Sequence, residues 1–210
     1  MEYNLIAQYI LTEIILIILA ISSREDLKYN RITKRKVMLI LIFTMLYTLV
    51  YPTYGIERTA AFLIAFIMFG GMTMLSRGKF GFGDSVIIAA LALYIGRVQE
   101  LGYFFSILGF TALGWGAICI LNTQLKNKNK TMKQRLRDSL HTIETIPIDN
   151  VLPGMILFND YFMTGLTEDE ILDLKQKGIS SIRIKRAFPF IPVIFISFVL
   201  YLVIVQYHLI

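Results

Sequence analysis

Apolar runs of about twenty residues recur along this chain and leave it little choice of fold. A lipid bilayer offers no water to satisfy backbone N–H and C=O groups, so a run of that length crosses it as a helix. Six such runs stand out, at about 5–22, 37–52, 59–75, 80–98, 101–121 and 189–209. With 56% hydrophobic residues and a mean hydropathy of +0.63, the chain is too apolar for a soluble domain of 210 residues. The sequence therefore predicts an α-helical polytopic membrane protein with about six transmembrane helices. A polar stretch between helices five and six predicts a small α+β cytoplasmic domain. The expected boundaries are 1–125 for a five-helix bundle, 126–188 for the soluble domain and 189–210 for the sixth helix. No Lys or Arg precedes the first run and no small-residue cleavage site follows it, so it reads as a retained helix.

Basic residues set the expected orientation, because Lys and Arg in short loops are held on the cytoplasmic side. Nineteen of the 21 fall in three segments, 23–36, 76–84 and 122–188. Only Arg58 and Arg97 lie on the other side. Both termini are thus predicted outside a plasma membrane that the chain crosses several times. The net charge of +6 reflects this topology and contact with anionic lipid, and not nucleic-acid binding. Cys119 is the single cysteine, which excludes an intramolecular disulfide and a Cys-based metal site. His141 and His208 have no carboxylate or second His at ligand spacing, so no metal or cofactor is expected.

Two acidic residues attract attention within this apolar frame. Ionisable groups at membrane depth are expensive and mark functional positions. Asp84 ends Gly81-Phe82-Gly83-Asp84 at the start of the fourth run, and Asp26 follows the first. Lys79 and Arg97 enclose only 17 residues of the fourth run, so Asp84 must lie within the helix, about 7 Å beyond Lys79. Gly78, Gly81 and Gly83 let the backbone bend or approach closely and leave space for water and an extended peptide. The plainer reading makes Asp84 an N-cap for Ser85 onward. Asp26 shares a helix face with Ser22 and Asn30 at i, i+4 spacing, turned toward the bundle. Its plainer reading is a surface carboxylate balancing Lys28 and Arg31.

Two carboxyl groups brought together cannot both ionise cheaply, so they share a proton. The ionised member can activate a water that attacks a peptide carbonyl, while the protonated member polarises that carbonyl and later protonates the leaving amine. Such chemistry needs no metal.

Gly81-Phe82-Gly83-Asp84, followed by Ile88-Ala89-Ala90-Leu91 and Gly96 and preceded by Asp26 at a basic loop, resembles the type IV prepilin peptidase family. The likeness is strongest to its archaeal preflagellin peptidase branch and covers the first five runs. It implies an intramembrane aspartyl endopeptidase that removes a short basic leader from membrane-anchored archaellin or pilin-like precursors at the cytoplasmic face. Asp26 and Asp84 match the family's catalytic pair, and Gly81 and Gly83 its glycines. Val86 stands where family members often carry Lys, and Ile32-Thr33 where they carry Ile-Pro. Many bacterial relatives add a cysteine-rich segment and methylate the new N-terminus; this chain lacks that segment, so cleavage without methylation is expected. Presenilin-type proteins share Gly-x-Gly-Asp, but their first Asp follows Tyr and they carry Pro-Ala-Leu. Here Glu25 precedes Asp26, and no Pro-Ala-Leu occurs.

Elsewhere, Glu13 is expected at a hydrogen-bonded bundle position near Gln8 and Thr12, since thirteen residues separate it from Asp26. A proton-coupled carrier using Glu13, Asp26 and Asp84 is one competing function, although no internal repeat supports it; a structural membrane subunit whose acids only cap helices is a second. Gly70-Gly71 and the glycines flanking Trp115 (Gly114, Gly116) are expected to permit close helix packing. The basic stretch from Lys126 to Arg137 reads as juxtamembrane. Beyond it, Pro153-Gly154 precedes an expected strand from Met155 to Phe158. Thr167 and Glu170 form a capping box for a helix ending near Gly178, and Ser181 to Lys185 alternates as a strand. The acidic cluster Glu168, Asp169, Glu170 and Asp173 suits a helix N-terminus, with attraction of a basic leader as the sharper alternative.

Overall fold

A computed structural model describes residues 2–29, 32–75, 81–126, 143–151, 155–157, 166–185 and 189–208. Each of the six apolar runs is helical: α1 (Glu2–Tyr29), α2 (Lys34–Val50), α3 (Gly55–Leu75), α4 (Phe82–Ile95), α5 (Val98–Lys126) and, near the C-terminus, α7 (Ile191–His208). Among the described residues, three helices are long and apolar enough to cross a membrane: Leu5–Leu27, Gly55–Leu75 and Val98–Cys119. Phe82–Ile95 and Ile191–Val205 are apolar but shorter.

The chain forms two compact units, one of residues 1–113 with 189–210 and the other of residues 114–188. In the first, α4 packs against α2, α3 and α7, while α1 packs against α2 and α7. The 14-residue α4 is buried on every face, with Ser85, Ile87 to Ala92, Tyr94 and Ile95 all inaccessible or nearly so. A helix apolar all round belongs in the interior, and α4 supplies the centre of this unit. The long helices α1 and α3 turn large apolar side chains outward instead, among them Ile6, Ile10, Ile17, Ile67 and Met68.

Capping explains where α4 begins and ends. Gly81, extended at φ −76° and ψ 144°, is the N-cap, and Gly96 closes the helix in the left-handed region at φ 82°. Only glycine fits Gly96 comfortably, since a Cβ there would also meet the Arg58 side chain at 2.9–3.0 Å. Other glycines do not behave as the sequence suggests. Among the described residues, nothing lies within 4 Å of a would-be Cβ at Gly70, Gly71, Gly114 or Gly116, so no close helix contact is seen there.

The second unit is small. Strands β1 (Ile143–Pro147), β2 (Ile156–Leu157) and β3 (Ser181–Lys185) form an antiparallel sheet in the order β1-β3-β2, with Ile143 opposite Lys185 and Leu157 opposite Ile184. A 3-10 turn (Ile148–Asn150) and helix α6 (Glu168–Gln176) accompany it, around a core of Ile148, Val151, Leu166, Ile171, Ile182 and Ile184. The capping box forms as its spacing predicts: Thr167 Oγ1 accepts from the Glu170 N–H at 3.3 Å, and the Thr167 N–H donates to Glu170 Oε2 at 2.8 Å. Gly178, at φ 71°, follows the helix as expected. Glu170 is committed to this cap and Asp173 to Lys177, while Glu168 and Asp169 lie exposed in the first turn of the helix. Pro153-Gly154, Phe158, His141 and most of the basic stretch from Lys126 to Arg137 lie outside the described residues.

Candidate active site

Both aspartates sit at helix N-termini, and they reach those positions differently. Asp84 is the third residue of α4 and bends back so that its Oδ2 accepts the Gly81 N–H at 3.2 Å. It is therefore neither the N-cap of the plainer reading nor one and a half turns inside a helix running from Lys79. The described helix starts at Phe82, because Gly81 is extended, and this puts Asp84 in the first turn; Lys79 and Gly78 lie outside the described residues. Asp84 remains partly exposed. Beside it, the buried Ser85 Oγ donates to the Phe69 carbonyl at 3.0 Å and meets Thr73 Oγ1 at 2.7 Å, fastening α4 to α3.

Gly83 is small for a reason of contact. A Cβ there would come within 3.2 Å of Ile32 and 3.7 Å of Val37, so the bare glycine lets the first turn of α4 lie against the chain entering α2. At Gly81 a Cβ would approach Asp84 Oδ2 at 3.1 Å, in the space the carboxylate needs to reach the N-cap amide.

Asp26 lies near the end of α1 and is only 5% exposed. The surface reading is thereby excluded: Ser22, Ser23 and Asp26 all face inward, while Asn30 lies outside the described residues. Across 165 positions of sequence, the Ile191 N–H at the start of α7 donates to Asp26 Oδ2 at 3.0 Å, and the Phe190 backbone also bonds to it. The carboxylate thus caps a helix that is not its own. Glu25, one residue earlier, turns the other way. It accepts from Thr33 Oγ1 at 2.6 Å and pairs with Lys36 at 2.5 Å, tying the end of α1 to the start of α2.

The fold brings the two carboxyl groups, 58 residues apart in sequence, near enough to act on each other electrostatically. Each also faces the positive end of a helix dipole, α4 for Asp84 and α7 for Asp26, which favours negative charge by roughly 0.3–1 kcal/mol per helix. Each carboxylate accepts from a backbone amide at a helix start, Gly81 for Asp84 and Ile191 for Asp26. Among the described residues no group of three His, Cys, Asp or Glu side chains is placed to hold a metal ion.

Glu13 is not part of this arrangement. It was expected in the bundle beside Gln8 and Thr12, but the structure exposes it on the outer face of α1. Thr12 is the residue that turns inward, donating to the Gln8 carbonyl at 2.8 Å and meeting the Tyr94 hydroxyl at 2.9 Å. One helical position, about 100°, separates the two faces.

Arg58, which by charge pattern alone is a marker of topology, is buried to 2% exposure. Its Nη1 donates to the Leu93 and Tyr94 carbonyls at 3.1 Å each, and its Nε to the Thr53 carbonyl at 2.9 Å. The guanidinium also lies 5.6 Å from the Tyr47 ring centre and 5.4 Å from that of Tyr51. An Arg in the first turn of an apolar helix, soon after two tyrosines, was the available signal.

No family model, curated protein or solved structure matches this chain.

Proposed function

We propose that the chain is an intramembrane aspartyl endopeptidase that removes the short basic leader from archaellin or type IV pilin-like precursors. In this reading all six apolar helices cross the plasma membrane, both termini lie outside, and the Asp26 and Asp84 end of the bundle meets the cytoplasm, where the basic segments contact anionic lipid. The observation that carries the proposal is the juxtaposition of two carboxyl groups at helix N-termini within an apolar bundle.

A water between the carboxyl groups loses its proton to the ionised member as it attacks the scissile carbonyl. The protonated member donates to the carbonyl oxygen, and the amine leaves after taking up a proton from the pair. As the C–N bond breaks, one hydroxyl of the tetrahedral intermediate returns its proton to an ionised carboxylate, which leaves a carboxylic acid, an amine and the pair again holding one proton, with water as the only co-reactant. Gly81 leaves the Asp84 carboxylate room to reach the N-cap amide, and Gly83 lets the first turn of α4 pack against Ile32 and Val37, so both glycines serve the placement of Asp84. A proton-coupled carrier is the weaker reading, because Glu13, the third acid it requires, faces away from the pair.

The test is to reconstitute the protein in liposomes with a panel of membrane-anchored pilin-like precursors bearing basic leaders, and to sequence the product N-termini. A single cut behind the leader is expected. If every precursor stays intact while the liposomes show substrate-driven proton flux, the carrier reading replaces this one.

A further inference from the structure

Asp26 is held by a helix that contributes no acidic residue to the site. The Ile191 amide, at the first position of α7, donates to its Oδ2 at 3.0 Å, and both partners are buried, at 0% and 5% exposure. The first N–H groups of a helix have no partner inside it, so this donor is free to serve another group, and the dipole of α7 adds to its pull. The surroundings fix the donor in place. Pro189 and Pro192 bracket it, and Ile191, Val193 and Ile194 are fully buried. On the other partner, Ser22 and Ser23 bond back to the Ile18 and Leu19 carbonyls of α1, keeping the turn before Asp26 in register.

We infer that the N-terminus of α7, through the Ile191 amide, is a positioning element of the catalytic pair: it holds the Asp26 carboxylate in the orientation from which it reaches substrate and Asp84. The inference rests on the peptidase reading and deepens it, since it assigns the sixth apolar helix a part in the chemistry. It gives Asp26 what the Gly81 amide gives Asp84, a backbone donor at a helix start that aims the carboxylate, and the neighbouring Phe190 backbone bonds to the same group. Ile191 is a positioning residue, because its amide touches Asp26 and not the peptide.

Ile191→Pro removes this one N–H while keeping a residue that is well suited to the first helical position. With a precursor that the wild type cuts, the expected result is a fall in kcat of about tenfold or more with KM little changed, whereas Ile191→Val, which keeps the amide, restores kcat. Thermal unfolding in detergent supplies a readout independent of cleavage: the loss in Tm caused by Ile191→Pro should largely vanish in an Asp26→Ala background, where the acceptor is gone. Should Ile191→Pro fail to fold, Pro192→Gly keeps the donor but loosens the turn that aims it, and should lower kcat with KM unchanged. A wild-type kcat in Ile191→Pro, or in Pro192→Gly where that variant substitutes for it, overturns the inference and leaves the peptidase reading standing. Equal losses in Tm with and without Asp26 overturn it as well. Failure of the wild type to cut any precursor removes the peptidase reading, and the inference with it.

Discussion

The two ends of the buried helix α4 obey the same electrostatic rule and do different things with it. At its C-terminus a cationic side chain from α3, Arg58, binds the Leu93 and Tyr94 carbonyls and lies near the Tyr47 and Tyr51 rings. At its N-terminus Asp84 binds the Gly81 amide, and a second acid, Asp26, stands close by. One end joins opposite partial charges and is settled. The other gathers two acidic groups, each bonded to a backbone amide at a helix start. One 14-residue element thus ends on a cation at its C-terminus and on acids at its N-terminus, and the proposed reaction would fall to the acidic end.

If this division is right, substitutions at the two ends fail differently. Asp84→Asn and Asp26→Asn should each lower precursor cleavage by about three orders of magnitude or more, with far-ultraviolet circular dichroism and detergent Tm close to wild type. Arg58→Ala should do the reverse. Orphaned carbonyls and lost ring contacts should cost about 3 kcal/mol or more of stability, read as a lower Tm, and cleavage per folded molecule should stay within a few-fold of wild type. An Arg58→Ala protein that is stable but inactive would break the comparison. Smallest is Thr167→Ala, which removes an ordinary cap in the other unit at a cost of about 1 kcal/mol and leaves cleavage untouched. It shows what capping alone contributes.

What the sequence made legible follows from the range of the interactions concerned. Six apolar runs announced six helices because hydrophobic continuity is a local property, and the Thr167–Glu170 box announced α6 because its two bonds span three residues. The spacing of Asp26 from Ser22 left an inward and a surface position open, and the structure takes the inward one. Its partner was not foreseeable, since Ile191 is 165 residues away and donates through its backbone, which carries no sequence signal. Arg58 was hidden for a related reason. The rule that counts basic residues by side of the membrane treats each as a surface charge, whereas this one is used by carbonyls 35 and 36 residues downstream. Strand β1 was missed because Ile143–Pro147 is short and ends in proline, and it is recognised only once β3 pairs with it. Glu13 shows the limit of face assignment on a helix apolar all round: the neighbouring Thr12 took the inward position, and nothing in the local pattern chose between them.

The central claim is that Asp26 and Asp84 work as one unit, and single-turnover cleavage of a basic-leader precursor by the wild type, Asp26→Asn, Asp84→Asn and the double variant tests it most directly. Residues that act together are not additive, so the double variant should be no slower than the slower single one. Cleavage retained in either single variant, or a double variant slowed by the product of the two single effects, would contradict a shared site.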